Sequence, residues 1–325
     1  MRLKMVPSET KINFFGATKL TIGLSTALIL ATVIAFFSMG LNFGIDFRGG
    51  TMLMVETAES VEVAEYRALL DDLIDGDVTV TEISDPAAVI TGEASHIAMI
   101  RIEQIGDDPA VQNDLIVLAK DTLSDAFEGI VFLQTDSVGA KVSGELVQAG
   151  VLAIVLAVGA VLFYIWLRFE WQFSVGAVVA LVHDVVITIG VFCVTQIEFN
   201  LTIIAAILTI VGYSLNDTVV VFDRVRENLR RYKAMELKDV LNLSINETLS
   251  RTIMTSVTTL IALLTLYFLG GDVIRGFTFA MIWGVIIGTY SSIFVASVIL
   301  LRLGVKRDWD KPDNSAGTQF ADVDA

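Results

Sequence analysis

Six stretches of this sequence run for about twenty residues or more with almost no charge, enough for each to cross a hydrocarbon core roughly 30 Å thick as an α-helix. They are Leu20 to Ile45, Leu146 to Leu167, Trp171 to Ile197, Phe199 to Phe222, Thr252 to Gly271 and Gly276 to Leu301. Backbone polar groups find no water in lipid, so each stretch is expected to be helical. The first reads as a retained helix, with a cleavable leader as the alternative. Its 26 uncharged residues exceed the roughly 7 to 15 of a leader's apolar region, and no small-x-small cleavage site follows, so it is expected to be a retained helix. With 54% hydrophobic and 18% charged residues, the chain reads as an α-helical membrane protein with six transmembrane helices.

Charge placement divides the chain. Between Asn42 and Ser143 stand 20 acidic and 5 basic residues, which accounts for the whole net charge of −15; the remainder balances. One acidic, water-facing domain is therefore expected between the first two spans. Basic residues gather in the other loops: Arg2, Lys4, Lys11 and Lys19 before the first span, Arg168 after the second, Arg224 to Lys238 after the fourth, and Arg302 to Lys311 after the sixth. By the positive-inside rule these segments are cytoplasmic, with both termini inside and the acidic domain outside. The expected organisation is a cytoplasmic segment over 1–19, a first transmembrane helix over 20–41, the exterior domain over 42–143, and helices two to six over 144–303. A basic connector spans 223–243 and a disordered cytoplasmic tail 304–325. The connector reads either as an amphipathic helix on the anionic leaflet or as a solvated link.

Several functions are excluded by what the chain lacks. No clustered positive charge supports nucleic-acid binding. One cysteine, Cys193, and two histidines, His96 and His183, give no disulfide framework and no metal cluster. Without a G-x-x-x-x-G-K-[ST] loop or a G-x-S-x-G elbow, neither an ATP site nor a hydrolase is expected, and no cofactor is implied. Energy, if used, comes from a membrane gradient or a partner.

The exterior domain patterns as βαββαβ. Thr51 to Thr57, Val78 to Ile83, His96 to Ile105 and Ile130 to Leu133 read as strands, and Val61 to Ile74 as a helix. A second helix is expected from Pro109, with Val111, Leu115, Leu118, Leu123 and Phe127 at helical spacing. This order suits a ferredoxin-like sandwich with helices on one face of a four-stranded sheet. Such a domain could add an extended polypeptide strand at its edge or serve as a spacer.

Ionisable residues inside spans are the sharpest functional signal, because each costs a few kcal/mol or more in lipid and so faces the bundle interior. Asp217 stands six residues before the charged Asp223-Arg224 boundary, about 9 Å inside, with Tyr213 and Ser214 on its helical face. Ser244-Ile245-Asn246-Glu247 matches a capping box, which predicts a fifth helix starting at Ser244 and places Arg251 about 10 Å inside it. Asp217 and Arg251 then lie at similar depth, followed on the Arg251 side by a polar stripe of Thr255, Thr258 and Thr259. An Arg cannot deprotonate, whereas an Asp can alternate between an Arg-paired anion and a neutral acid. The pair therefore reads either as an ion-coupling switch, for H⁺ or Na⁺, or as a static contact fixing helix register. His183-Asp184 reads as a structural polar contact, with a proton relay as the alternative. Asn216 reads as packing glue, and Gly284-x-x-x-Gly288 as a site of close helix approach within the bundle.

Three segments resemble a known family: Phe43-Gly44-Ile45-Asp46-Phe47-Arg48-Gly49-Gly50-Thr51, Val211 to Asn228, and Asn246 to Thr252. They are similar to the SecD/SecF family of bacterial protein-export membrane subunits, on the side of the smaller SecF component, within the resistance-nodulation-division superfamily. The resemblance implies a separate SecD chain as partner, with SecA-driven preprotein emerging from the SecYEG channel as the substrate. It also implies that the proton-motive force promotes late translocation and release outside the bacterial inner membrane. It makes Asp217 and Arg251 the proton-conducting positions, facing SecD, and Asp46, Arg48, Gly49 and Gly50 the family motif. The remaining alternative is half of an ion-coupled small-molecule or lipid exporter of the same superfamily.

Overall fold

The computed structural model describes residues 10–305 apart from 72, 75, 84–95 and 107. The expected disorder of the tail beyond 305 lies outside the described residues. Among the described residues, six helices are long and apolar enough to cross a membrane. A short 3₁₀ turn, Phe14–Ala17, leads into α1 (Thr18–Ser38), the first span. The others are α5 (Ala140–Arg168), α6 (Trp171–Thr195), α7 (Leu201–Arg231), α8 (Leu237–Leu269), and α9 (Arg275–Ser291) running on into α10 (Ser297–Leu303). Between α9 and α10, Ser292–Ala296 widen into a π turn.

Local chemistry sets several ends. The first transmembrane helix is expected to end at 41, within an uncharged run that continues to Ile45; α1 stops at Ser38, where Gly40 takes φ +68° and its N–H turns back to the carbonyls of Ala35 and Phe36. A left-handed glycine just past a helix end stops it irrespective of hydropathy. The fifth span also departs from expectation. It begins at Leu237, seven residues before Ser244, and the Ser244 hydroxyl bonds back to the Val240 carbonyl at 2.7 Å. Glu247 caps nothing; it accepts from Arg224 at 2.7 Å and from Asn228 at 2.6 Å on the neighbouring helix. The S-x-x-E spacing here serves a contact between helices. The stretch 223–243 is accordingly the tip of an antiparallel helix pair, broken only by a five-residue turn, Tyr232 to Glu236. The chain's beginning is clasped there too, with Ile12 N–H donating to Asn246 Oδ1 at 2.8 Å and Phe14 N–H to Asn242 Oδ1 at 2.9 Å.

Spans three, four and six (α6, α7, and α9 with α10) form the inside of the bundle, while two and five (α5 and α8) are exposed along most of their length. Small residues let the inner helices approach. A Cβ on Gly284 would overlap the Ile210 side chain, and one on Gly288 would meet Ser214 Cβ at 3.1 Å, so the Gly284/Gly288 pair seats α9 against α7. Phe173, Ala177, Ala180, Phe222 and Ala296 fill one end, and Leu181, Phe192, Ile203, Ile207 and Ala280 the other.

Between α1 and α5 stand a single turn, α2 (Ile45–Arg48), then β1 (Gly50–Thr57), α3 (Val63–Asp71), β2 (Val78–Ile83), β3 (His96–Ile102), α4 (Pro109–Ala126) and β4 (Val131–Val138). The strands pair antiparallel in the order β2-β3-β1-β4. Leu53, Val55, Ile100 and Ile102 face Tyr66, Leu70, Ala119 and Leu123 of the two helices. The inward face of α4 is Gln112, Ile116, Ala119 and Leu123, one step from the expected phase: Val111 and Leu118 are exposed. Gln112 goes inside because its amide donates to Thr51 Oγ1 at 3.0 Å. β4 extends beyond Leu133 because its polar half, Thr135 to Ser137, still pairs with β1 along an edge open to solvent.

Candidate functional site

The family-motif residues lie where this sheet meets the bundle. Gly49 and Gly50 have φ of +79° and +119°, and a Cβ on Gly50 would run into the Ile102 carbonyl, so only glycine fits that turn. Asp46 Oδ2 accepts from the Leu201 N–H at 2.9 Å, while Asn200 Oδ1 accepts from Thr202 and Ile203. Asp46 and Asn200 thus satisfy free amides at the start of α7, where the helix dipole also favours a carboxylate. Arg48 is exposed. From β3, Arg101 reaches across to pair with Glu198 in the loop before α7. Burial pushes the Glu198 carboxyl up from its ordinary value; Arg101 opposes this and Asp46 adds to it.

Two carboxyls sit inside the spans. Asp217, on α7, is 3% exposed and lies within electrostatic reach of Arg251 and Thr255 on α8. Asp217 precedes the end of α7 by 14 residues and Arg251 follows the start of α8 by 14, so each lies about 21 Å from the connecting turn. The two residues lie at equal depth even though α8 begins at Leu237 and not at Ser244. Asp217 Oδ2 has no hydrogen-bond partner among the described residues, and no ion pair within 4.0 Å forms there between Asp217 and Arg251. Arg251 and Asn216 are exposed on the outside of the bundle. Tyr213 approaches Thr259 at 3.5 Å. Thr258 is not part of this contact: its hydroxyl folds back to Met254 and Thr255 of its own helix.

Asp184, on α6, is 1% exposed and has both carboxyl oxygens engaged. Oδ1 faces His183 Nδ1 at 3.0 Å, and Oδ2 accepts from Ser214 and from Ser291, each at 2.7 Å. Ser214, grouped with Asp217 from its helical face, is thus engaged with Asp184 instead. His183 continues to Ser25 on α1 at 3.1 Å, Ser25 to Tyr290 on α9 at 3.0 Å, and Tyr290 to the Thr21 carbonyl at 2.7 Å. Four spans meet in this cluster. Ser25, Tyr290 and Ser291 were invisible in the sequence, since hydroxyls are common in membrane helices and these partners lie 107 to 269 residues apart.

The six-span bundle with a small antiparallel sheet between its first two spans belongs to a chain whose sequence places it among the protein-export membrane proteins. The family described as protein export membrane protein SecD/SecF, C-terminal, matches residues 119–306, and the SecD/SecF GG motif matches 34–61. The protein translocase subunit SecF of Cereibacter sphaeroides is 52% identical over 100% of this chain and 99% of its own. That of Rhodobacter capsulatus is 50% identical over 97% and 95%. The chain belongs to the SecF family of protein translocase subunits. SecDF of Thermus thermophilus, a translocon-associated membrane protein of solved crystal structure, matches with a TM-score of 0.79 and 32% identity, over 93% of this chain and 39% of that one. The chain thus spans about two-fifths of that longer protein. The same holds for SecDF of Brucella abortus, 42% identical over 96% of this chain and 40% of its own.

Proposed function

We propose that this chain is the ion-coupled SecF half of a two-chain SecD/SecF assembly in the bacterial inner membrane. Both termini are cytoplasmic and the ferredoxin-like domain is periplasmic. The proton-motive force acts through Asp217 and Arg251 to promote the late passage and release of preprotein that SecA has driven through SecYEG. The observation that carries this reading is the Asp217 carboxyl: buried, with one oxygen unpartnered, beside a guanidinium that reaches the bundle surface. A carboxyl so placed can take up a proton when the guanidinium withdraws and release it when the guanidinium returns. An arginine exposed within a span is costly unless protein covers it, and SecD is the partner that fits there, consistent with relatives in which both halves form one chain.

Replacing Asp217 with Asn tests the proposal. Gradient-stimulated export by membrane vesicles is expected to fall to the level seen without a gradient, while SecD still co-purifies. Undiminished export would refute coupling, and loss of SecD would make the residue structural. Varying Na⁺ at fixed membrane potential separates the two ions, with no Na⁺ dependence expected.

A further inference from the structure

We propose that His183 and Asp184 together hold one proton within the bundle, as an imidazolium–carboxylate pair, and that this proton completes a hydrogen-bonded chain from α6 through α1 to α9. The inference does not depend on whether Asp217 carries the coupling ion.

The argument is a count of hydrogens along the chain, begun at its one unambiguous end. The Thr21 carbonyl can only accept, so Tyr290 spends its single hydrogen there, at 2.7 Å. The contact between Tyr290 and Ser25, at 3.0 Å, must then be donated by Ser25, which spends that hydrogen too. The Ser25 oxygen at 3.1 Å from His183 Nε2 can only accept, so Nε2 carries a hydrogen. A neutral imidazole has just one, yet Nδ1 still faces Asp184 Oδ1 at 3.0 Å, and that contact needs another. The pair therefore holds one proton more than a neutral imidazole beside a carboxylate.

On which partner it rests follows from the other carboxyl oxygen. Oδ2 receives hydroxyls from Ser214 and Ser291, both at 2.7 Å, which favours the ionised carboxylate and leaves the proton on the ring. Charge points the same way: a lone anion this deeply buried is costly, and the pair sums to zero. Few other charged or titratable groups come near. Tyr290 stacks on the ring from α9, Arg302 of α10 lines the same apolar groove as His183 and Ser25, and Asp217 lies one turn along α7 from Ser214. That groove, of about 380 Å³, lies between α1, α6 and the α9–α10 helix. Loss of the proton leaves one link without a hydrogen and loosens α1, the span that leads into the sheet domain.

The chain contains only two histidines, so the state of His183 can be read directly. The full-length protein, labelled with ¹⁵N-histidine, carrying His96→Gln and combined with separately produced unlabelled SecD, would be examined in lipid nanodiscs by solid-state NMR. In the lipid-embedded complex His183 is expected to show two protonated ring nitrogens, one hydrogen-bonded to Ser25 and one to Asp184. A neutral ring accompanied by a protonated carboxyl band in the infrared, lost on Asp184→Asn, would overturn the imidazolium–carboxylate pair by placing the proton on Asp184. A neutral ring with no such band overturns it. Should Asp184→Asn fail to fold, ¹³C-aspartate labelling of the unsubstituted residue reads its carboxyl state.

Discussion

Asp184 and Asp217 are carboxyls of the same length in neighbouring spans, both almost wholly buried, yet their surroundings differ in kind. Around Asp184 a histidine and two serines fill both oxygens, and the residues supplying them come from α6, α7 and α9. Around Asp217 one oxygen has no partner, and the nearest cation stands on an exposed helix face. A saturated carboxylate resists change because any change breaks several bonds together. An unsaturated one can exchange a proton with little rearrangement. The contrast supports the proposal that Asp217 switches while Asp184 holds.

Four substitutions can break or sharpen that contrast. The largest expected effect is functional, with Asp217→Asn abolishing gradient-stimulated export while changing the melting temperature in detergent little. Next, Asp184→Leu strands a histidine and two serines in an apolar interior and should cost about 3–5 kcal/mol, read as a lowered thermal midpoint. A third acid, Glu198, is an intermediate case, half-buried with a single ion-pair partner. Arg101→Met should cost about 1–3 kcal/mol. Because the folded Glu198 keeps its proton to higher pH than the unfolded chain does, its contribution is fully present below the ordinary carboxylate range and is lost as pH rises through the folded value. The Arg101→Met penalty should therefore be larger at about pH 8 than at about pH 4. Smallest is Ser214→Ala, which removes one of two donors to Oδ2 and should cost about 1 kcal/mol, with export retained. Export loss from Ser214→Ala as deep as that from Asp217→Asn would erase the distinction.

Legibility in the sequence followed the range of each interaction. Asp217 and Arg251 stood out because a charge within an apolar stretch carries a cost visible from its neighbours alone. The strand and helix order of the small domain was legible for the same reason, since alternation and helical spacing are local. The misreadings were contacts mistaken for local ones. Ser244 and Glu247 have the spacing of a cap but serve Asn228 and Arg224 across a helix pair. Gln112 is inside because of Thr51, 61 residues away. The Asp184 cluster was least legible, since a hydroxyl shows its purpose only when its partner is known.

Asp46 carries a mechanical implication. Its carboxylate grips the first turn of α7 while its own backbone begins the glycine turn into β1. Sixteen residues further down that helix sits Asp217. A displacement of that first turn would therefore reach the sheet across one hydrogen bond and the three residues from Phe47 to Gly49.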